Sequence, residues 1–405
     1  MSGIRWQRRR FRRVPDPRSA IDRFILLYAL AWAGGTIGYV PLLSILLPVQ
    51  VAGLAGKGGG VSWLAYIALV GAIAASLAGI LFGYLSDVTR NRRGWILAGL
   101  GLSCLLLPVI GWATSLFGLV LAIIGWQLAL NMMLGPLAAW AGDVVPNDRK
   151  GLLGGLMAFA PGLGALAGAI VTWPGLAGGQ ARLLLVALLV AICVVPILLH
   201  GAPAAGGAPQ GGPQAEPGTG TRGVALRMWL ARLAVQVAEA TLFAYLFFWL
   251  LSLDGSVTDN QTARLFSVIM LVSAPLALLV GRWSDRTDHP IRPLQGCALV
   301  SGLGLLGMAL APDLAGAMLA YGLFGLSSAV FLALHSAQTL RILPRADRRG
   351  RDLGLFNLAN TVPSLVMPWL TMAIVPLAGY PVLFVLLAVL SAAAGLLLRN
   401  VTPAN

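Results

Sequence analysis

Glu239 stands within LAVQVAEATLFAYLFFWL at 233–250, an acid deep inside an apolar run. Gln236, three residues before it, and Arg232, seven before it, share its face if the run is helical. A charge in the middle of such a run costs several kcal/mol unless it is paired or hydrated, so a group kept there is a candidate for function. The chemistry on offer is the uptake and release of a proton, with Arg232 as counter-charge. The other 13 of the 14 acids fall in loops, tails or the ends of apolar runs. Further along, His335 and Gln338 share another apolar run, and His335 joins Glu239 and Arg232 as a proton-coupling candidate.

Bond-making chemistry has no comparable support. Cys104, Cys193 and Cys297 lie singly in apolar runs, without disulfide or metal-ligand spacing. No nucleophile has a partner base nearby. GLAGKGGG at 53–60 looks like a phosphate loop but has Val51 where Gly is needed and Gly58 where Ser or Thr is needed. The expectation is neither an enzyme nor an ATP-driven machine, with no metal.

A second constellation is charged. GYLSDVTRNRRGW at 83–95 follows a long apolar run and supplies Gly83, Asp87, Arg90, Arg92 and Arg93. GRWSDRTDHPIRP at 281–293 supplies Gly281, Asp285 and Arg286, and Asp143 with Arg149 is another acid–base pair. Topology signals need cations and have no use for an acid, so Asp87 calls for a further reason.

The elements that must hold these groups are apolar helices. Of 405 residues, 58% are hydrophobic and 10% charged, and the mean hydropathy is +0.84. A soluble domain carries roughly 25% charged residues. Twelve runs have about the length needed to cross a bilayer as helices: 24–49, 61–85, 95–112, 115–139, 151–173, 181–199, 223–252, 262–283, 293–311, 314–340, 352–375 and 379–399. They are rich in Gly and lack the dyad alternation of a membrane barrel.

The net charge of +14 is distributed by side, not gathered into a nucleic-acid face. Of 28 Lys and Arg, three (Lys57, Arg182 and Arg264) fall in loops after odd-numbered spans, and the other 25 fall in tails, in loops after even-numbered spans or at the same ends of helices. This positive-inside bias places both termini in the cytoplasm of a multi-pass inner or plasma membrane protein. RRRFRR at 8–13 suits anionic headgroups.

The chain also repeats itself. Gly83, Ser86, Asp87 and Thr89 recur 198 residues later as Gly281, Ser284, Asp285 and Thr287, and Pro146 recurs as Pro344 at the same offset. The Gly-, Ala- and Pro-rich segment 201–222 cannot bury a core. The division expected is a basic tail at 1–23, a six-helix bundle at 24–199, a flexible cytoplasmic linker at 200–222, a second six-helix bundle at 223–400 and a short tail at 401–405. The two bundles would be related by an axis along the membrane normal.

A twelve-helix, two-fold repeat with Gly-x-x-x-Asp and arginines between helices two and three resembles the major facilitator superfamily. Gly83, Leu85 and Asp87 fit its loop signature, and Ser86 departs from it. The Ser-Asp version, with RDLGLFNLANTVP at 351–363, is similar to the sucrose-transporter and glycoside–cation symporter branch. APGLGALAG at 160–168 approaches the superfamily's proton-antiporter motif with Pro161 and Gly162 in reversed order. The resemblance implies an all-α fold of two pseudo-symmetric bundles, with Asp87 and its arginines in a cytoplasmic gate. Asp143 with Arg149, and Asp285 with Arg286, would be weaker copies. Helices one, four, seven and ten would line a central cavity. Mid-span polar groups gather largely there: Tyr28, Trp32 and Thr36, then Gln127 and Asn131, then Gln236 and Gln338, with Asn357 and Asn360 on span eleven. The function expected is secondary transport of a small polar solute, such as a sugar or glycoside, driven by a proton or cation gradient in place of a cofactor. A proton-coupled efflux antiporter is the alternative. The partners expected are the solute and the bilayer, with no nucleic acid, and the chain is expected to be a monomer.

Overall fold

Pro41 has no N–H to offer the preceding turn, and a five-residue π turn, Leu42–Leu46, follows it directly. This is one of the few irregularities in the computed structural model, which describes residues 17–146, 149–201, 221–285, 291–342 and 349–399. The helices are α1 Pro17–Pro41, α2 Leu47–Thr89, α3 Arg92–Trp112, α4 Leu116–Val144, α5 Lys150–Met157 and α6 Ala160–Val171. They continue as α7 Gly179–His200, α8 Thr221–Leu253, α9 Asp259–Asp285, α10 Arg292–Ala309, α11 Leu314–Ile342 and α12 Arg349–Arg399. Two turns are closed by local side chains. The Asn91 side chain accepts from Gly94 N at 2.9 Å to start α3, and Ser115 Oγ accepts from Gly118 N at 3.1 Å to start α4.

The chain is all-α and multi-pass, and the expected count of twelve spans is met in part. Among the described residues, ten helical stretches are long and apolar enough to cross a membrane. Gly56, at φ 62°, separates the stretches 19–56 and 59–89 within α2. The expected spans 352–375 and 379–399 both fall in α12, interrupted at Gly379 (φ 75°, ψ 176°), and count as one stretch. The expected span 293–311 forms α10, but Arg292, Gln295 and its glycines dilute its hydropathy, so it is not among the ten. The linker 202–220 and the tails lie outside the described residues.

Helices before residue 201 pack chiefly on one another: α1 on α6 and α7, α4 on α2 and α3, and α3 on α7. Helices after residue 221 do the same, α12 against α8 and α10, and α11 against α8, α9 and α10. The two groups meet mainly where α6 lies along α9 and α2 along α12. Small residues set the closest crossings. A Cβ on Gly99 of α3 would collide with the Met133 backbone of α4, and one on Gly304 of α10 would lie 2.6 Å from Phe324 N of α11.

Candidate functional site

A cavity of about 260 Å³ opens between the two groups of helices. Ser76 of α2 and Gln127 and Asn131 of α4 line it from one side, and Ala240 and Phe243 of α8 and Ser364 of α12 from the other. Gln127 and Asn131 are one helical turn apart. Asn131 Nδ2 donates to the Gln127 carbonyl at 2.9 Å and approaches Gln127 Oε1 at 3.5 Å, so the two amides form one polar edge in a mostly apolar wall. Ser76 and Ser364 were not singled out from the sequence. Lone serines in apolar helices carry no periodic signal.

Next to this cavity, α8 and α11 carry a chain of polar side chains. Gln236 Nε2 donates to Glu239 Oε2 at 2.9 Å, and Gln236 Oε1 is buried without a partner. Glu239 is half-buried. Tyr39 of α1, Tyr321 of α11 and Arg232 all lie within reach of its charge. Arg232 Nη1 donates to Ser336 Oγ at 2.9 Å and lies 3.4 Å from His335 Nδ1. The other ring nitrogen of His335, Nε2, is 2.8 Å from the Met228 carbonyl. A carbonyl can only accept, so Nε2 carries the proton and Nδ1 is free to accept from Arg232. Gln338 is buried one turn further along α11.

The aromatic residues and Thr36 of α1 face elsewhere. Tyr28 is buried and stacked with Trp32, ring centroids 6.2 Å apart, beside the Phe24–Trp140 edge contact that joins α1 to α4. The Thr36 hydroxyl lies 2.7 Å from both the Ala33 and Ala160 carbonyls, fastening α1 to α6. Asn357 and Asn360 belong to α12, and their side chains lie outside the described residues.

At one end of α2, Arg92 is the hub. Its guanidinium pairs with Asp87, donates to Asp143 Oδ2 at 3.1 Å and donates to Ser86 Oγ at 2.6 Å, tying α2, α3 and α4 together. The arginine is 16% exposed, against 61% for Asp87 and 54% for Asp143. Arg93 caps α7 through the Leu198 carbonyl, and Arg90, at φ 50°, terminates α2. Arg149 lies 3.3 Å from Asp22 of α1. These partners all come from helices before residue 201, not from the facing group. Gly83 presents its backbone to Gly135, whose added Cβ would lie 3.3 Å from Gly83 N. In the repeat, Gly281 packs near Leu334, Asp285 ends α9 with its side chain outside the described residues, and Arg286 lies outside them altogether. Among the described residues, no group of three His, Cys, Asp or Glu could hold a metal ion.

The sequence model of the Major Facilitator Superfamily matches residues 19–322 and 228–405. The chain belongs to this superfamily. Membership makes it a membrane transporter and not an enzyme. No curated protein sequence matches it. Superfamily members of solved structure share its fold at low identity. A POT family transporter in complex with 5-aminolevulinic acid has a TM-score of 0.73 at 14% identity, over 92% of this chain and 95% of that one. An auto-inhibited POT family peptide transporter has 0.70 at 13%, over 95% and 99%. A bacterial homologue of the human lysosomal transporter Spinster, inward-facing and occupied, has 0.69 at 14%, over 94% and 96%. At this identity the likeness is one of fold alone.

Proposed function

We propose that this member of the superfamily is a proton-coupled secondary transporter of the cytoplasmic membrane, moving a small organic solute by alternating access between its two halves. The observation that carries the reading is the position of Glu239. It is an acid in the span α8, bonded to an amide with a spare acceptor, within reach of a tyrosine from the other group of helices and one residue from the cavity wall. Ionised, the carboxylate accepts from Gln236 Nε2. Protonated, its O–H needs an acceptor, and rotation of the Gln236 amide would offer the stranded Oε1. One amide can therefore serve both protonation states, and a solute that favours one of them couples its own movement to the proton. In this reading Arg232 is the counter-charge, His335 fixes Arg232, and Gln127 and Asn131 take the polar edge of the solute. Asp87, Arg92 and Asp143 form the cytoplasmic gate.

The sequence features shared with the sucrose and glycoside symporters favour import of a hydroxylated solute. The mostly apolar wall of the cavity favours the second reading, proton-driven efflux of an amphiphilic metabolite or drug. Proteoliposomes with an imposed pH gradient separate the two. A labelled sugar, glycoside, dipeptide and lipophilic dye are offered in turn. Symport accumulates solute on the side to which protons flow, and antiport on the side from which they flow. A chain that moves no member of the panel uphill in either direction contradicts proton-coupled transport of these solutes.

A further inference from the structure

Two of the three cations that break the sidedness of charge, Arg182 and Arg264, both touch the opposite group of helices. Arg182, in the first turn of α7, donates through Nη1 to Asp259 Oδ2 of α9 and through Nε to the Ala177 carbonyl at 3.1 Å. The pair is largely buried, with side chains 20% and 19% exposed. Asp259 also accepts from Asn260 N at 2.8 Å. Asn260 Nδ2 reaches across to the Ala169 carbonyl at 3.1 Å and Thr172 Oγ1 at 3.2 Å. One turn on, the Arg264 guanidinium lies 5.9 Å from the centre of the Trp173 ring. Ser267 Oγ closes the row, 2.6 Å from the Ala165 carbonyl. Nearby, a Cβ on Gly60 of α2 would lie 2.6 Å from the Phe248 ring of α8.

These cross-group bonds occupy one end of the molecule. They run from the middle of α6 and α9, where Gly162 meets Leu271, to the ends of both helices remote from Asp87. At the Asp87 end, the bonds of Arg92, Arg93 and Arg149 described above stay within one group. There α5, which continues the path of α6, packs on α1. An ion pair withdrawn from water is costly to break on one side only, because the remaining charge stays buried without its partner. Placed across two groups that must part, such a pair discriminates between the state that keeps it and the state that hydrates it.

We propose that Arg182, Asp259 and Asn260, with Arg264 and Trp173, form a latch that holds shut the end opposite Asp87 and sets how readily that end opens during the cycle. The proposal rests on the alternating-access reading above. It gives the two stray cations a conformational role in place of a topological one.

Hydrogen–deuterium exchange on the full chain in lipid nanodiscs tests it without a known solute. In Asp259→Asn and Arg182→Gln, backbone exchange in 165–182 and 254–267 is expected to quicken several-fold. Exchange in 149–157 and 275–285, at the Asp87 end, is expected to slow. The charge-swapped chain, Arg182→Asp with Asp259→Arg, is expected to return both toward wild type. Exchange unchanged at both ends, or faster at both as from general loosening, overturns the latch, and so does a swap that stays as open as the single variants. Reciprocal changes at the two ends of the wild-type chain on shifting the pH would leave alternating access standing if the latch alone failed.

Discussion

Arg92 holds Asp87, Asp143 and Ser86 with one guanidinium, and the two acids it joins are both more than half exposed. Each exposed pair contributes about 1 kcal/mol or less, so losing one acid should barely alter stability. Losing the arginine is different, because two carboxylates then face each other across α2 and α4. Arg92→Ala is expected to slow transport more than Asp87→Asn does, and to lower the midpoint of thermal unfolding by a few degrees. Asp87→Asn is expected to slow exchange of the empty and loaded carrier while solute binds with similar affinity. Initial uptake rates beside equilibrium binding check both, and a collapse of binding with normal exchange would remove Asp87 from a gate. The Gly-x-x-x-Asp pattern was legible at this scale. The partnerships were not. Three arginines within four residues are equivalent in a one-dimensional reading, and only the helix crossings single out Arg92 as the hub.

Among elements, the closest crossings are those of α3 with α4 and of α10 with α11, set by Gly99 and Gly304. Added methyl groups there must displace backbone, and overpacking of this kind costs typically 1–3 kcal/mol. Gly99→Val is expected to lower thermal stability clearly, whereas Gly101→Val, two residues along the same helix with open space beside it, should leave it near wild type. Equal losses in the two variants would contradict this packing. The helices themselves were legible, since hydropathy and length decide them. Their joints were less so. Gly56 and Gly379 alter the path through positive φ, which any glycine in a Gly-rich chain could supply. Thr36 shows a related limit. Periodicity put it on the face of Tyr28 and Trp32, but it does not say which neighbour that face meets, and the neighbour is the α6 backbone.

For the whole molecule, the charge distribution gives a test of orientation. Reporter fusions at Gln214 and after Asn405 are both expected to read cytoplasmic, and a periplasmic reading at either would overturn the expected sidedness. The 198-residue repeat made two halves legible before any coordinates. What it could not convey is that the acid able to sense a proton, Glu239, stands in one half within reach of Tyr39 in the other. That juxtaposition makes coupling a property of the assembled molecule. Solute accumulation in proteoliposomes under an imposed pH gradient, wild type beside Glu239→Gln, is the direct measurement. The amide keeps the shape of the protonated acid but carries no proton between sides. Wild type should concentrate solute until the gradient is collapsed by a protonophore, and Glu239→Gln should exchange labelled solute across the membrane without concentrating it. Accumulation by Glu239→Gln at the wild-type level would contradict the account and leave Glu239 a structural partner of Gln236 and Arg232.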